Sequence, residues 1–180
     1  MKADKAQQLA RLIFGGLIAY PEDLEVFVDF NGGNLTEMSI RVNAADRPRV
    51  LGKHGKHFKA VKEILALAGA RAGRQVILTE MREPVKGQQE AFPPFKHDPD
   101  WPKAAVLNIL RTTGEAIFRE AFDIEETERD GRCRVVLKLS DAEPGEAVRA
   151  ATQCLPAVFP SIGMTQGCIL SLDLQWGGVQ

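Results

Sequence analysis

Cysteine is scarce. The 180-residue chain has Cys133, Cys154 and Cys168, an odd number whose spacing suits neither a CxxC metal site nor a disulfide framework. They read as reduced packing thiols of a cytoplasmic protein. Long hydrophobic runs are also missing. LIFGGLIAY, from Leu12 to Tyr20, falls far below the roughly 20 residues that span a bilayer. It lacks a small-residue cleavage site and acidic residues follow at once, which argues against a signal peptide. No Ser/His/Asp or Cys/His constellation can be assembled, so no catalytic class is indicated. The remaining composition, 44% hydrophobic and 26% charged, is ordinary for a globular protein of one large or two small domains.

Net charge is low as well, at -1, but unevenly distributed. Residues 1–85 carry 13 Lys+Arg against 10 Asp+Glu, and residues 86–180 carry 10 against 14. An anionic partner therefore favours the first half. There, RPRVLGKHGKHFKAVK, from Arg47 to Lys62, holds six Lys or Arg and no acid.

Leu9, Leu12, Ile13 and Leu17 repeat at helical spacing and predict a helix over about 4–18. LEVFVDF, the turn NGGN and the alternating MSIRVN predict a β-hairpin. AADRPRVLG is a short helix or turn. Phe58, Val61, Ile64, Leu65 and Ala68 predict a helix ending near Gly73, and RQVILTEM a third strand. Residues 82–102 contain five prolines and no periodicity, as in a linker that Phe92, Phe95 and Trp101 could pin to a surface. The second half repeats the order. A helix over about 103–120 precedes FDIEET and CRVVLKLS around the turn ERDG. A helix GEAVRAATQCL follows, ended or kinked at Pro156, and then a strand CILSLDLQW. Alanine, valine and a basic residue recur at 60–62 and 147–149. The matching order suggests a duplicated fold whose second copy has SDAEPG where the first has its basic glycine loop.

That loop carries the chemistry. Glycine permits positive φ and close approach of a ligand to the backbone. A helix start offers unpaired N–H donors and partial positive charge. Lys53 and His54 lie between Gly52 and Gly55, Lys56 and Lys59 follow, and Arg47 and Arg49 precede. Such convergence suits a nucleic-acid backbone better than one isolated phosphate. GKHGK is not a Walker loop, which needs GxxxxGK[ST]. His54 and His57 are too poor a ligand set for a metal, since no Cys, Asp or Glu accompanies them.

LGKHGKHF, set between a hairpin and a helix, resembles the IGxxGxx-apolar signature of the KH RNA-binding domain, with Leu51 and Phe58 as its apolar flanks. LARLIFGGLIAYPEDLEVFV is similar to the start of the small bacterial single-KH proteins. The resemblance covers about residues 5–82. It implies an α+β fold: a type II KH domain (αββααβ), followed by a second αββαβ KH-like domain without a GxxG loop. The expected division is a KH domain at 1–82, a Pro-rich linker at 83–102 and a degenerate KH-like domain at 103–180. The family's loop clamps four backbone nucleotides. Carried over, Gly52, Lys53, His54 and Gly55 hold phosphates, aided by Lys56, Lys59, Arg47 and Arg49, while bases lie in an apolar groove. Val50, Leu51 and Phe58 are expected in the core.

Two functions follow from these features. One is a non-enzymatic cytoplasmic protein that binds single-stranded RNA, with no cofactor, metal or membrane. The other is an interaction scaffold, in which the fold serves a protein partner or homodimer through the C-terminal half. GMTQG at 163–167 reads as a turn, EETERD at 125–130 as a solvated hairpin tip, and Trp101 and Trp176 as packing residues.

Overall fold

The computed structural model describes residues 3–85, 94, 102–118, 122–130, 132–140 and 145–176. The linker expectations for Phe92, Phe95 and Trp101, and positions 141–144 of SDAEPG, lie outside them.

Helix α1 (Ala3–Leu17) forms where the apolar stripe is richest, and it buries Leu9, Ile13, Phe14 and Leu17. Strands β1 (Glu25–Gly32) and β2 (Leu35–Arg41) pair antiparallel. The sequence suggests a turn over NGGN, but Asn31 and Gly32 stay in β1, opposite Thr36 and Leu35. The reversal falls on Gly33, at φ +53°. Helices α2 (Arg47–Leu51) and α3 (Lys56–Arg71) cross over to β3 (Gln75–Met81), which pairs parallel to β2. The second half contributes α4 (Lys103–Phe118), β4 (Phe122–Arg129), β5 (Arg132–Leu139), α5 (Glu146–Thr165) and β6 (Ile169–Trp176). Its sheet has the same plan, with β4 antiparallel and β6 parallel to the central β5.

Each sheet is covered on one face by its own helices, and the helices of the two halves pack against each other: α1 and α3 meet both α4 and α5. The chain therefore stacks as sheet, helices, helices, sheet. Gly16 permits the closest approach, since a Cβ there would lie 2.9 Å from Ile109 Cδ1 and 3.0 Å from Ile162 Cγ2. Ile13, Phe14, Val61, Ile64, Leu110, Leu155, Phe159 and Ile162 belong to one continuous buried cluster.

Three expectations need correcting. Helix α5 is not ended by Pro156; it runs through Pro156 and Pro160 to Thr165. An interior proline costs a helix about 3 kcal/mol, but burial of Ala151, Leu155, Val158, Phe159 and Ile162 spans both prolines and outweighs that cost. GMTQG supplies the last residues of α5 before a turn at Gly167, φ +88°. Most of EETERD is strand: Glu125–Arg129 extend in β4, exposed, and only Asp130 turns.

The helix ends show how closely the halves correspond. The Arg74 amide donates to the Gly69 carbonyl and the Cys168 amide to the Gly163 carbonyl, both at 2.9 Å. Gly69 and Gly163 each lie flat on the following strand, where a Cβ would strike Val76 Cγ2 at 2.6 Å and Leu170 Cβ at 2.5 Å. Gly73 and Gly167 take positive φ at the matching place. All these pairs keep one spacing along the chain. The alanine-valine-basic triplets do not keep it, since Ala60 corresponds to Cys154. Counted at that spacing, the positions of Gly52–Gly55 fall on Glu146–Arg149, the first turn of α5. The second half thus has a further turn of helix where the first has its loop.

Candidate functional site

The loop is held from behind by a buried carboxylate. Asp46 accepts from the amides of Ala19 (2.8 Å) and Tyr20 (3.2 Å), which ties the start of α2 to the end of α1. Its own carbonyl accepts the Arg49 (3.0 Å) and Val50 (2.9 Å) amides. Burial raises the Asp46 carboxyl above its ordinary 3.8, and the two amide bonds and Arg49 partly offset this. Asn43 adds a bond to Asp23 at 2.7 Å. The β2–α2 connection is thereby fixed before the loop begins.

Gly52 ends α2, its amide donating to the Pro48 carbonyl at 2.9 Å. It stands at φ +68°, ψ 176°, a conformation restricted almost to glycine. Its α-carbon rests on the His57 ring, and an added Cβ would lie 2.5 Å from His57 Cγ. Residues Lys53–Gly55 make one 3-10 turn, closed by the Gly55 amide on the Gly52 carbonyl at 3.1 Å. His54 (φ +57°) and Gly55 (φ +75°) are both left-handed, and α3 starts at Lys56.

No side chain caps the N-terminus of α3, and its first turn holds no acid. Among the described residues, the amides and the positive end of the helix dipole thus have neither a capping side chain nor a first-turn acid. Lys53, His54, Lys56 and Lys59 are exposed around them. Six of the eight residues read from the sequence gather here: Gly52, Lys53, His54, Gly55, Lys56 and Lys59. The two arginines turn elsewhere. Arg47 donates to the Arg82 carbonyl (2.9 Å) and pairs with Glu83 (3.3 Å). Arg49 reaches α5, donating to the Ser161 carbonyl (3.4 Å) and Thr165 Oγ1 (3.1 Å), and burial lowers its guanidinium pKa from the ordinary value.

His57 is the residue that sequence reasoning missed. It is half-buried, with Nδ1 2.6 Å from the Arg49 carbonyl and Nε2 3.1 Å from Ser161 Oγ. A carbonyl only accepts, so Nδ1 carries a proton and donates to it, while Nε2 shares a hydrogen bond with the Ser161 hydroxyl. The ring links the first glycine of the loop to the second half of the chain. Its one signal in the sequence was a histidine in the first turn after a glycine pair. Among the described residues no cluster of three or more His, Cys, Asp or Glu could hold a metal.

Around the loop, Val50 is fully buried as expected and Phe58 is partly buried, its ring 6.2 Å from that of Phe14. Leu51 departs from the expectation: it is 37% exposed. It is the last residue of α2, and the short helix turns Val50, not Leu51, into the core.

The order αββααβ, with a GxxG turn between two helices, fits the fold of the KH class. Residues 7–79, from α1 to β3, match the family model described as KhpA/KhpB, KH domain. That match is consistent with a KH fold in the first half of the chain and stops short of the second half. No solved structure matches the chain. No helix among the described residues is long and apolar enough to cross a membrane.

Proposed function

We propose that the protein is a non-enzymatic RNA-binding protein that grips the backbone of single-stranded RNA. Gly52, Lys53, His54 and Gly55 form the grip, and Lys56 and Lys59 extend it along α3. One observation carries this reading: the uncapped start of α3, entered through two left-handed residues and ringed by exposed cations without an acid. Arg47 and Arg49 support the loop from behind. The division at 1–82 and 103–180, a cytoplasmic location and a bacterial relative as the type are parts of the same reading. The second half is then a degenerate copy of the first, its loop replaced by a helical turn. Its helices pack against the first half, so a protein partner or second copy would use the outer face or an edge of its sheet.

The test is the pair Lys53→Asp and His54→Asp together. About four phosphate contacts on a single strand give a log-log salt slope near -3, or roughly 50-fold weaker binding between 50 and 200 mM salt. Fluorescence anisotropy with a mixed-sequence single-stranded RNA should show that slope for the wild type and lost binding for the variant, at nearly unchanged thermal stability. Equal binding by both proteins overturns the proposal and leaves the scaffold reading in its place.

A further inference from the structure

Between the loop and the last turns of α5 lies a cleft of about 460 Å³, lined by Ala45, Pro48, Gly52, His57, Ser161 and Met164, with Arg49 at its side. That volume falls in the range of about 300 to 1,000 Å³ typical of ligand clefts. Among the described residues no acidic side chain lines it. One of its walls, Gly52, opens the loop and another, His57, lies in the first turn of α3 behind it, so the cleft adjoins the cationic surface already described. Met164 is a long apolar side chain on its opposite wall, yet 43% exposed.

The chemistry of the α5 wall selects what fits. This is the carbonyl end of a helix, the end with partial negative charge. Arg49 and the Thr165 hydroxyl both donate to the Ser161 carbonyl there, which quenches part of that charge but leaves no excess of positive charge for a further phosphate. A flat, uncharged ring between Pro48 and the polarizable thioether of Met164 suits the site better. Ser161 is the polar group beside it.

Resting on the RNA-binding reading, we propose that this cleft takes the base and ribose of a nucleotide next to those gripped by the loop. The second half of the chain is then one wall of the RNA site.

The test uses the full chain with mixed-sequence RNA of four and eight nucleotides, followed by amide chemical shifts. A four-nucleotide strand fills the loop alone, and a longer one reaches the cleft. The wild type should bind the longer strand at least about fivefold tighter, with shifts at Ser161 and Met164 that the short strand does not cause. Stacking contributions of about 1–3 kcal/mol per base make a gain of that size measurable. Met164→Glu should abolish the length gain and keep the short-strand affinity, whereas Met164→Leu should keep both. An unaltered length gain in Met164→Glu, or shifts that avoid α5, overturns the cleft while leaving the loop reading intact. Failure of the wild type to bind either strand overturns both.

Discussion

Replacing Gly52 by alanine tests how the loop is built. The backbone there, at φ +68° and ψ 176°, is almost closed to other residues and costs a non-glycine residue about 1–3 kcal/mol. The new Cβ would also lie 2.5 Å from His57 Cγ and 2.7 Å from Nδ1. The ring must move, losing its bonds to the Arg49 carbonyl and Ser161 Oγ, each worth about 1 kcal/mol. The sum is roughly 3–5 kcal/mol, which for a chain of this size lowers Tm by about 6–20 °C. Gly55→Ala is the control. It too has positive φ, but nothing lies within 4 Å of the added Cβ, so only the left-handed penalty of about 1–2 kcal/mol applies. Urea unfolding followed by circular dichroism measures both. Repeating Gly52→Ala in a His57→Ala background isolates the ring. There the substitution should cost only its backbone share, giving a coupling of about 2 kcal/mol. If Gly52→Ala is no worse than Gly55→Ala, or the coupling falls below about 0.5 kcal/mol, the ring does not brace the loop.

Asp46 should make stability depend on pH in an identifiable window. Burial raises its carboxyl in the fold above 3.8, so as pH falls the folded state takes up this proton before the unfolded state does. Its share of stability therefore grows as pH drops from the raised value to 3.8 and is constant on either side. Wild type should gain on Asp46→Asn over that window in urea unfolding; a difference independent of pH refutes it. Asp46→Ala, which leaves two amides without their acceptor, should lose about 2–4 kcal/mol at pH 7 by the same measurement. The cysteines should be inert. All three are buried, and burial pushes Cys133 and Cys154 up to about 11 and raises Cys168 as well. A disulfide exchange reagent at pH 8 should modify none of them in the folded protein during the time it modifies all three in urea, and rapid labelling of any one contradicts this.

Much of the fold is legible in the sequence because its elements announce themselves locally. The Leu9–Ile13–Leu17 stripe, the alternation through Met38 and Ile40 and the glycine pair need no distant partner to be read. What escapes depends on partners far along the chain. Arg49 looks like a phosphate ligand until Ser161 and Thr165 are seen to claim it, and His57, too poorly accompanied for a metal, shows no role until Ser161 is seen beside it. Helix α5 hides behind its prolines because the apolar face that overrides them has value only once it packs against β6, α3 and α1. The order of the elements suggests that the halves correspond, but the triplet of side chains at 60–62 and 147–149 does not mark how. The correspondence resides instead in glycines where helix backbone touches strand, a demand of geometry that leaves little trace in composition.

The stacking of helices between two sheets has a consequence for any attempt to cut the molecule. Severing the chain between Met81 and Lys103 would strip each piece of the cover over its Ile13–Phe14 or Phe159–Ile162 surface. Neither piece would be a tidy module. Mixed together, they should behave as complementary fragments, each restoring the other's shape by reannealing along that shared seam.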